Sequence, residues 1–414
     1  MKNDSDRLKI LLQFQLVVQS NEYFQPVDFA DDDKNLSERL IKNIASIPLI
    51  DMNAKNFDVS SLIRPEILAL SAYHVPASAN YIKLDAMENP YHLPKEWTES
   101  WLETLKHAEI NRYPDPNATQ LKQDLRMMMH IPQSATMILG NGSDELIQML
   151  LLTFHYQGRA ILSVEPGFTM YRLLAQVVGM PYLGVPLQPD DFSLDMPALR
   201  QAIIQHQPAL IFLAYPNNPT GNLFARHEIE EILQISQGVV VIDEAYAPFA
   251  DDTFMDDLNK YPHLLVMRTV SKLGLAGLRL GLLAGDARWL TQIEKTRLPY
   301  NINILTQLSA HFAIQHSEAL TVQTEQIKRD RALLLQQLNQ FVGVTTWASQ
   351  ANFLLFRVAQ AAHTFESLKS QGILIKNLHG FHPLTEGCLR VTVGKPEENQ
   401  AFLQALQYVD TIHL

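Results

Sequence analysis

Between residues 118 and 290 the chain repeats one pattern: a short apolar run, a polar turn, then usually a helical stretch. The runs lie at 137–139, 160–164, 209–214, 239–242, 264–267 and 280–284. A strand with one wet face alternates apolar and polar residues, whereas a strand covered on both faces reads as an unbroken apolar run. Runs interleaved with helices predict an α/β fold with a mostly parallel, doubly wound sheet. Ligands of such sheets bind in the crevice beyond the carboxyl ends of the strands. The polar motifs of this chain fall there.

With 414 residues the chain has room for more than one domain. Residues 1–62 read as an N-terminal extension rich in Asp, Asn and Lys, with an acidic cluster at Asp31-Asp32-Asp33. Helical patches are expected at 7–18 and, after Asn35, at 36–45, and neither carries recognisable chemistry. Met52 is an alternative start, which an intact mass beginning at Met1 would rule out. Residues 63–110 read as an arm that contributes to a smaller domain: a helix over 63–74, a strand leading into a loop over 82–90 and an amphipathic helix over 97–108. Residues 111–298 form the large domain. Residues 299–414 hold a linking helical stretch to about 338, with a bend near Pro299-Tyr300-Asn301, and a smaller α/β domain, with strands at 352–358, 373–375 and 388–393 and helices at 363–370 and 396–406.

The balance of charge narrows the partners. Lys+Arg 33 against Asp+Glu 44 gives a net charge of −11. Nucleic-acid binding leaves a basic footprint, so it is not expected. An anionic ligand must be met by a few placed cations and not by the overall field. The only cysteine, Cys388, allows no intrachain disulfide, and no Cys/His cluster has zinc spacing, so no metal is expected. No apolar run approaches the roughly 20 residues that cross a bilayer. The patch at 10–18 is interrupted by Gln13 and Gln15 and lacks a cleavage site, so a signal peptide and a membrane are not expected and the cytoplasm is.

Five motifs carry the chemistry. Val270-Ser271-Lys272 follows one strand, with Arg279 seven residues on. A lysine among apolar neighbours loses basicity and becomes a nucleophile that forms a Schiff base with a carbonyl. An arginine fork suits a phosphate. Gly140-Asn141-Gly142-Ser143-Asp144 lies between a strand and a helix, where a glycine turn and a serine cap make an anion site. Glu165-Pro166-Gly167-Phe168 displays an aromatic ring beyond a strand end. Tyr215 to Asn222 is a rigid turn whose Asn218-Pro219 bond is a candidate cis peptide. Asp243-Glu244-Ala245-Tyr246 puts a carboxylate at a buried strand end, where it is costly unless paired. Each motif alone also fits an ordinary connecting turn, core aromatic or salt bridge.

Together they are the parts of a pyridoxal 5'-phosphate site: an amine, a partner for the ring nitrogen, a flat platform and an anion cradle. The chain resembles the fold-type I pyridoxal-phosphate aminotransferases and, within them, the histidinol-phosphate aminotransferase subfamily. The resemblance runs from about Arg64 to the C-terminus. It is carried by Arg64-Pro65-Glu66, residues 84–90, Asn111-Arg112-Tyr113-Pro114, Asn217-Asn218-Pro219-Thr220-Gly221, Asp243-Glu244-Ala245-Tyr246, Ser271-Lys272 with Arg279, and Gly387-Cys388-Leu389-Arg390-Val391-Thr392-Val393-Gly394.

The resemblance implies the following roles. Lys272 carries the cofactor and moves the substrate proton. Asp243 pairs with the ring nitrogen, and Tyr246 and Asn218 bind the 3'-oxygen. Phe168 stacks on the ring, where many relatives carry Tyr. Gly142, Ser143, Asp144, Ser271 and Arg279 belong to the phosphate end of the cofactor site. Tyr113 reaches that phosphate from the neighbouring subunit, which implies a homodimer with shared active sites. Arg390 grips the carboxylate of glutamate or 2-oxoglutarate. Tyr73 and Lys376 are helpers for the phosphate of histidinol phosphate, with Lys376 standing where many relatives carry Arg. The span from Lys272 to Arg279 is one residue shorter than in many relatives. The implied reaction is transamination of histidinol phosphate with 2-oxoglutarate in histidine biosynthesis. An aromatic amino-acid aminotransferase, a threonine-phosphate decarboxylase and a non-catalytic pyridoxal-phosphate-binding regulator are the other readings.

Overall fold

The computed structural model describes residues 58–72 and 77–409. The two helical patches expected near the N-terminus, Met52 and Tyr73 lie outside them. The chain divides into two compact units, 1–63 and 64–414. In the first, the described residues form a short 3-10 turn, Val59–Leu62, opened by Asp58, whose carboxylate accepts the Ser60 N–H at 3.0 Å.

In the second unit β1 (Ile82–Lys83) precedes the seven strands of the main sheet. These are β2 (Thr136–Gly140), β3 (Ile161–Glu165), β4 (Tyr182–Pro186), β5 (Leu210–Ala214), β6 (Val239–Asp243), β7 (Leu264–Thr269) and β8 (Gly281–Gly285). Their order is β2-β8-β7-β6-β5-β3-β4. All neighbours are parallel except β8, which runs antiparallel to both β2 and β7. Apolar cores lie on both faces. Ile211, Val240 and Val266 share one with Leu125, Leu199 and Ile229. Phe212, Val241 and Met267 share the other with Leu146, Tyr171 and Leu290. That double burial is why these strands show no alternation.

Three expectations need correction. β4 has no counterpart among the predicted runs. It is an edge strand, mostly part-exposed, with Gly184 inside it and Pro186 at its end, and edges tolerate such residues. The helix predicted over 63–74 is a single turn, Pro65–Leu68. The Arg64 guanidinium beside it donates to the Val177 carbonyl at the C-terminal end of the helix Thr169–Val178, where a cation is favoured. The linking stretch is two helices, Ile304–Gln315 and Ser317–Leu338, after a non-helical passage in which Tyr300 is left-handed.

The tail contributes β9 (Thr345–Thr346), β10 (Phe353–Arg357), β11 (Ile373–Leu374), β12 (Lys376–Asn377) and β13 (Cys388–Thr392). A four-stranded antiparallel sheet has the order β12-β13-β10-β9, and β11 pairs in parallel with β1 of the arm. The strand expected at 373–375 is β11, and β12, which follows one residue later, belongs to the other sheet. Leu84 bridges the two sheets, donating to the Leu374 carbonyl at 2.7 Å and accepting from Thr392 N–H at 2.9 Å.

The glycine that opens β8 packs against the turn after β2. A Cβ on Gly281 would lie 2.8 Å from the Gly142 carbonyl carbon and 3.0 Å from the Ser143 nitrogen, both backbone atoms that cannot swing away. Gly281→Ala is expected to lower the unfolding free energy by about 1–3 kcal/mol, as overpacking does. A urea midpoint equal to that of the unaltered protein would contradict this contact.

Candidate active site

The turn between β7 and β8 is built from two short 3-10 segments, Ser271–Leu273 and Ala276–Leu278, with Gly274 left-handed between them at φ 105°. Thr269, buried at the end of β7, ties its ends together. Its Oγ1 accepts the Ser271 N–H at 3.1 Å and donates to the Leu280 carbonyl at 2.9 Å. Among the described residues Lys272 Nζ donates to the Ala86 carbonyl alone, at 3.3 Å, and it sits 5.5 Å from the Tyr246 ring centroid. It opens on a cavity of about 220 Å³ also lined by Ser143, Phe168, Asn218, Asp243 and Arg279. Burial, followed by the Arg390 charge, lowers the amine to about 8, while Glu88 pulls the other way.

Asp243 ends β6 and is 3% exposed. Its Oδ2 accepts the Tyr171 hydroxyl at 2.7 Å and its Oδ1 the Ala245 N–H at 3.1 Å. Burial pushes the carboxyl up to about 6, and these two bonds act against it. Among the described residues no Lys or Arg forms an ion pair with it. A buried carboxylate facing a cavity calls for an N–H or a cation from a ligand. Asn218, on the turn after β5, donates from Nδ2 to the Tyr246 hydroxyl at 3.2 Å, and its Oδ1 accepts from Arg390 Nη1 at 2.5 Å. Arg390 Nη2 donates to the Asp85 carbonyl at 3.1 Å. The Asn218-Pro219 bond is cis, as are Glu165-Pro166 and Tyr215-Pro216.

The anion cradle differs from the expected cap. Gly142, at φ 79°, occupies the N-cap of the helix Ser143–Phe154, and Ser143 is its first residue. The Ser143 hydroxyl therefore caps nothing. It is buried and has no hydrogen-bond partner among the described residues. The Arg279 guanidinium lies over Gly142, so that a Cβ there would be 2.7 Å from Nη2, and it is 3.7 Å from Asp144. A helix N-terminus, two hydroxyls (Ser143 and Ser271) and a guanidinium make a site for a phosphate monoester.

Gly142 and Arg390 adjoin this cavity through Arg279 and Asn218, whereas Tyr113 and Lys376 stand apart from it. Tyr113 is 79% exposed and stacks on Tyr300, centroids 4.4 Å apart. Lys376 faces Arg390 across the β12–β13 register but lines a separate cavity of about 530 Å³ with Tyr81 and Asp85. Burial and then the Arg390 charge lower its amine. Tyr73 lies outside the described residues. A larger cavity of about 700 Å³ contains none of the expected residues, and within it Arg226 pairs with Asp252 and Arg268 with Glu244.

The motifs contain three further residues of the site to which the sequence assigns no role: Met87 and Thr269, which line the cavity, and Tyr171, which lies behind it. Met87 holds a left-handed backbone, φ 52°, fixed by Thr392 Oγ1 at 3.0 Å and Asn352 Nδ2 at 2.9 Å. No sequence signal marks it. Tyr171 and Thr269 stand inside segments the motifs touched, three residues after Phe168 and two before Ser271.

The sequence profile described as Aminotransferase class I and II matches residues 79–406. The chain belongs to this family. Among curated relatives, histidinol-phosphate aminotransferase 2 of Nitrosococcus oceani is 53% identical over 351 residues, which is 84% of this chain and 97% of that protein. The histidinol-phosphate aminotransferase of Chromobacterium violaceum is 47% identical over 349 residues, 84% of this chain and 98% of that one. A solved structure, histidinol-phosphate aminotransferase from Sinorhizobium meliloti in complex with pyridoxal-5'-phosphate, superposes with TM-score 0.74 at 21% identity, covering 86% of this chain and 98% of its own. L-threonine-O-3-phosphate decarboxylase from Porphyromonas gingivalis does so with TM-score 0.66 at 23% identity, covering 78% and 98%. At these identities the structures share the fold alone.

The residues of this aminotransferase fit the cofactor that its family implies. The unpartnered Ser143 hydroxyl, the bare Gly142 beside Arg279 and the buried, cation-free Asp243 match a phosphate at one end and a protonatable ring nitrogen at the other. Lys272 supplies the amine. In protein stripped of cofactor, Lys272 should become reactive toward acylating reagents as pH rises through about 8, whereas ordinary lysines do so near about 10.4. Peptide mapping of the labelled protein checks this, and a Lys272 that labels like its neighbours would contradict the lowered basicity.

Proposed function

We infer that this aminotransferase depends on pyridoxal phosphate and transfers the amino group between L-histidinol phosphate and 2-oxoglutarate, giving imidazole-acetol phosphate and L-glutamate in histidine biosynthesis. The observation that carries the reading is the 53% identity with a histidinol-phosphate aminotransferase over nearly its whole length. A threonine-phosphate decarboxylase shares the fold only at the level of general architecture and is not favoured.

Bound pyridoxal phosphate supplies an electron sink for the charge that develops at the substrate Cα. The chain does the rest. Lys272 Nζ, neutral for much of the time near pH 8, removes the Cα proton and returns it on the other side of the transfer. Asp243 holds a negative charge against the ring nitrogen. Tyr246 and Asn218 orient the 3'-oxygen, and Phe168 covers one ring face. Gly142, Ser143, Asp144, Ser271 and Arg279 form the phosphate end. Arg390 offers its guanidinium to the carboxylate of glutamate or 2-oxoglutarate. Lys376 and Tyr73 meet the phosphate of histidinol phosphate, where a lysine keeps the charge of an arginine but not its fork. Residues 111–298 are the cofactor domain, with 63–110 and 299–414 around it.

A homodimer with shared sites, in the cytoplasm, belongs to the same proposal. Tyr113 and Tyr300 stack while exposed, and Ile110, Leu298 and Leu305, near them in sequence, are exposed as well; exposed apolar side chains of this kind suit a second subunit. Tyr113 then reaches the phosphate of the partner's site. Mixing Lys272→Ala and Tyr113→Ala subunits should restore activity that neither variant has alone, because one site of each hybrid carries both defects and the other none. Hybrids as inactive as their parents would sink the shared site.

Lys272→Ala should lower turnover about 10⁴-fold, the upper range for removing a general base. Asp243→Asn should lower it about 10²–10³-fold, as losing a preorganised charge contact does. The substrate is tested by single-turnover amino transfer from histidinol phosphate, phenylalanine, tyrosine and threonine phosphate in parallel. Faster transfer from either aromatic amino acid would overturn the assignment.

A further inference from the structure

Asp243 leans on a side chain that none of these roles employs. Tyr171 lies on the inner face of the helix Thr169–Val178 and is 1% exposed. Its hydroxyl donates to Asp243 Oδ2 at 2.7 Å across 72 positions of sequence. Its ring is held by two others: it stacks on Phe212 at 4.7 Å, and Phe168 meets it edge-on at 5.4 Å. Tyr171 does not line the cavity and meets it through two residues that do, Phe168 by its ring and Asp243 by its hydroxyl.

We propose that Tyr171 is a positioning residue for the transamination, its hydroxyl keeping Asp243 ionised and turned toward the ring nitrogen of the bound cofactor. This rests on the reading of Asp243 given above. A phenol that donates to a carboxylate favours the charged form, and the bond is stronger for being out of water. Burial keeps the phenol itself protonated, so it remains a donor. The Ala245 N–H fixes the other oxygen, and the two bonds together set the plane of the carboxylate.

The surroundings make this bond matter. Burial raises Asp243 to about 6, and the charges of Asp144 on the helix Ser143–Phe154 and of the adjacent Glu244 push the same way. Tyr171 comes first among the groups that oppose them, ahead of Ala245 N–H. Tyr246, also beside Asp243, is kept protonated by burial, and Lys272 and Arg279 are the cations lining the cavity. A carboxyl whose folded value is raised is ionised only above that value. Without the hydroxyl it takes up a proton closer to neutral pH, and the ring nitrogen loses its counter-charge.

Tyr171→Phe keeps the ring and both aromatic contacts, so the fold is preserved. In cofactor-free protein, the infrared carbonyl band of protonated Asp243, identified by its loss in Asp243→Asn, should titrate at higher pH in Tyr171→Phe than the value of about 6 in the unaltered protein. Affinity for pyridoxal phosphate should fall roughly tenfold or more, the loss expected for one hydrogen bond to a charged acceptor. In an Asp243→Asn background, adding Tyr171→Phe should change neither this affinity nor kcat. An unmoved infrared midpoint, or a full further loss in the double variant, overturns the role of Tyr171. If Asp243→Asn alone leaves affinity and kcat intact, the reading of Asp243 fails first, and the role of Tyr171 falls with it.

Discussion

The site depends on one close approach of backbone to backbone. β8 runs antiparallel between β2 and β7, and its first residue, Gly281, touches the Gly142–Ser143 turn that follows β2. The segment that joins β7 to β8 therefore begins at the carboxyl end of the sheet and returns to it. Lys272 sits near the start of that excursion and Arg279 near its end, so the amine and the guanidinium that lies over Gly142 are held by one short turn. A parallel crossover needs a dozen or more residues and would carry them apart.

Electrostatics then separates the roles of groups that look alike in sequence. The chain is acidic overall, yet Lys272, Arg279, Arg390 and Lys376 gather near one end of the structure. Their mutual repulsion adds to burial and favours the neutral amine at Lys272 and at Lys376. One neighbourhood thus holds a base beside anion clamps. Asp243 is the mirror case, with burial and nearby carboxylates working against its charge and hydrogen bonds defending it.

Much of this was legible in the sequence, for reasons that can be stated. β5, β6 and β7 are buried on both faces, so their apolar runs announce themselves. The turns after β2, β3, β5, β6 and β7 are spelled in Gly, Pro, Asn and Asp, and the cavity gathers Ser143, Phe168, Asn218, Asp243, Tyr246 and Lys272 from them. β4 was not legible because an edge strand needs no apolar run. Ser143 was misread because Gly142 can adopt a positive φ and take the cap position. Tyr171 reads as an ordinary core aromatic of an amphipathic helix, and only the fold shows that its hydroxyl meets Asp243. The left-handed backbone of Met87 leaves no trace in a side chain that is neither Gly nor Asn.

The pairing of β1 with β11 bears on how the chain is made. The N–H of Met87 meets a hydroxyl 305 positions later, at Thr392, and Leu84 completes its backbone bonds with residues just as distant. Contacts of such range are slow to form because a very long loop must close first. On the ribosome, the main sheet can assemble once residue 285 has emerged, but the arm must wait for nearly the whole remainder of the chain. Until then Ile82, Leu84 and Met87 lack the tail residues that cover them, and this late-closing segment is open to aggregation during synthesis.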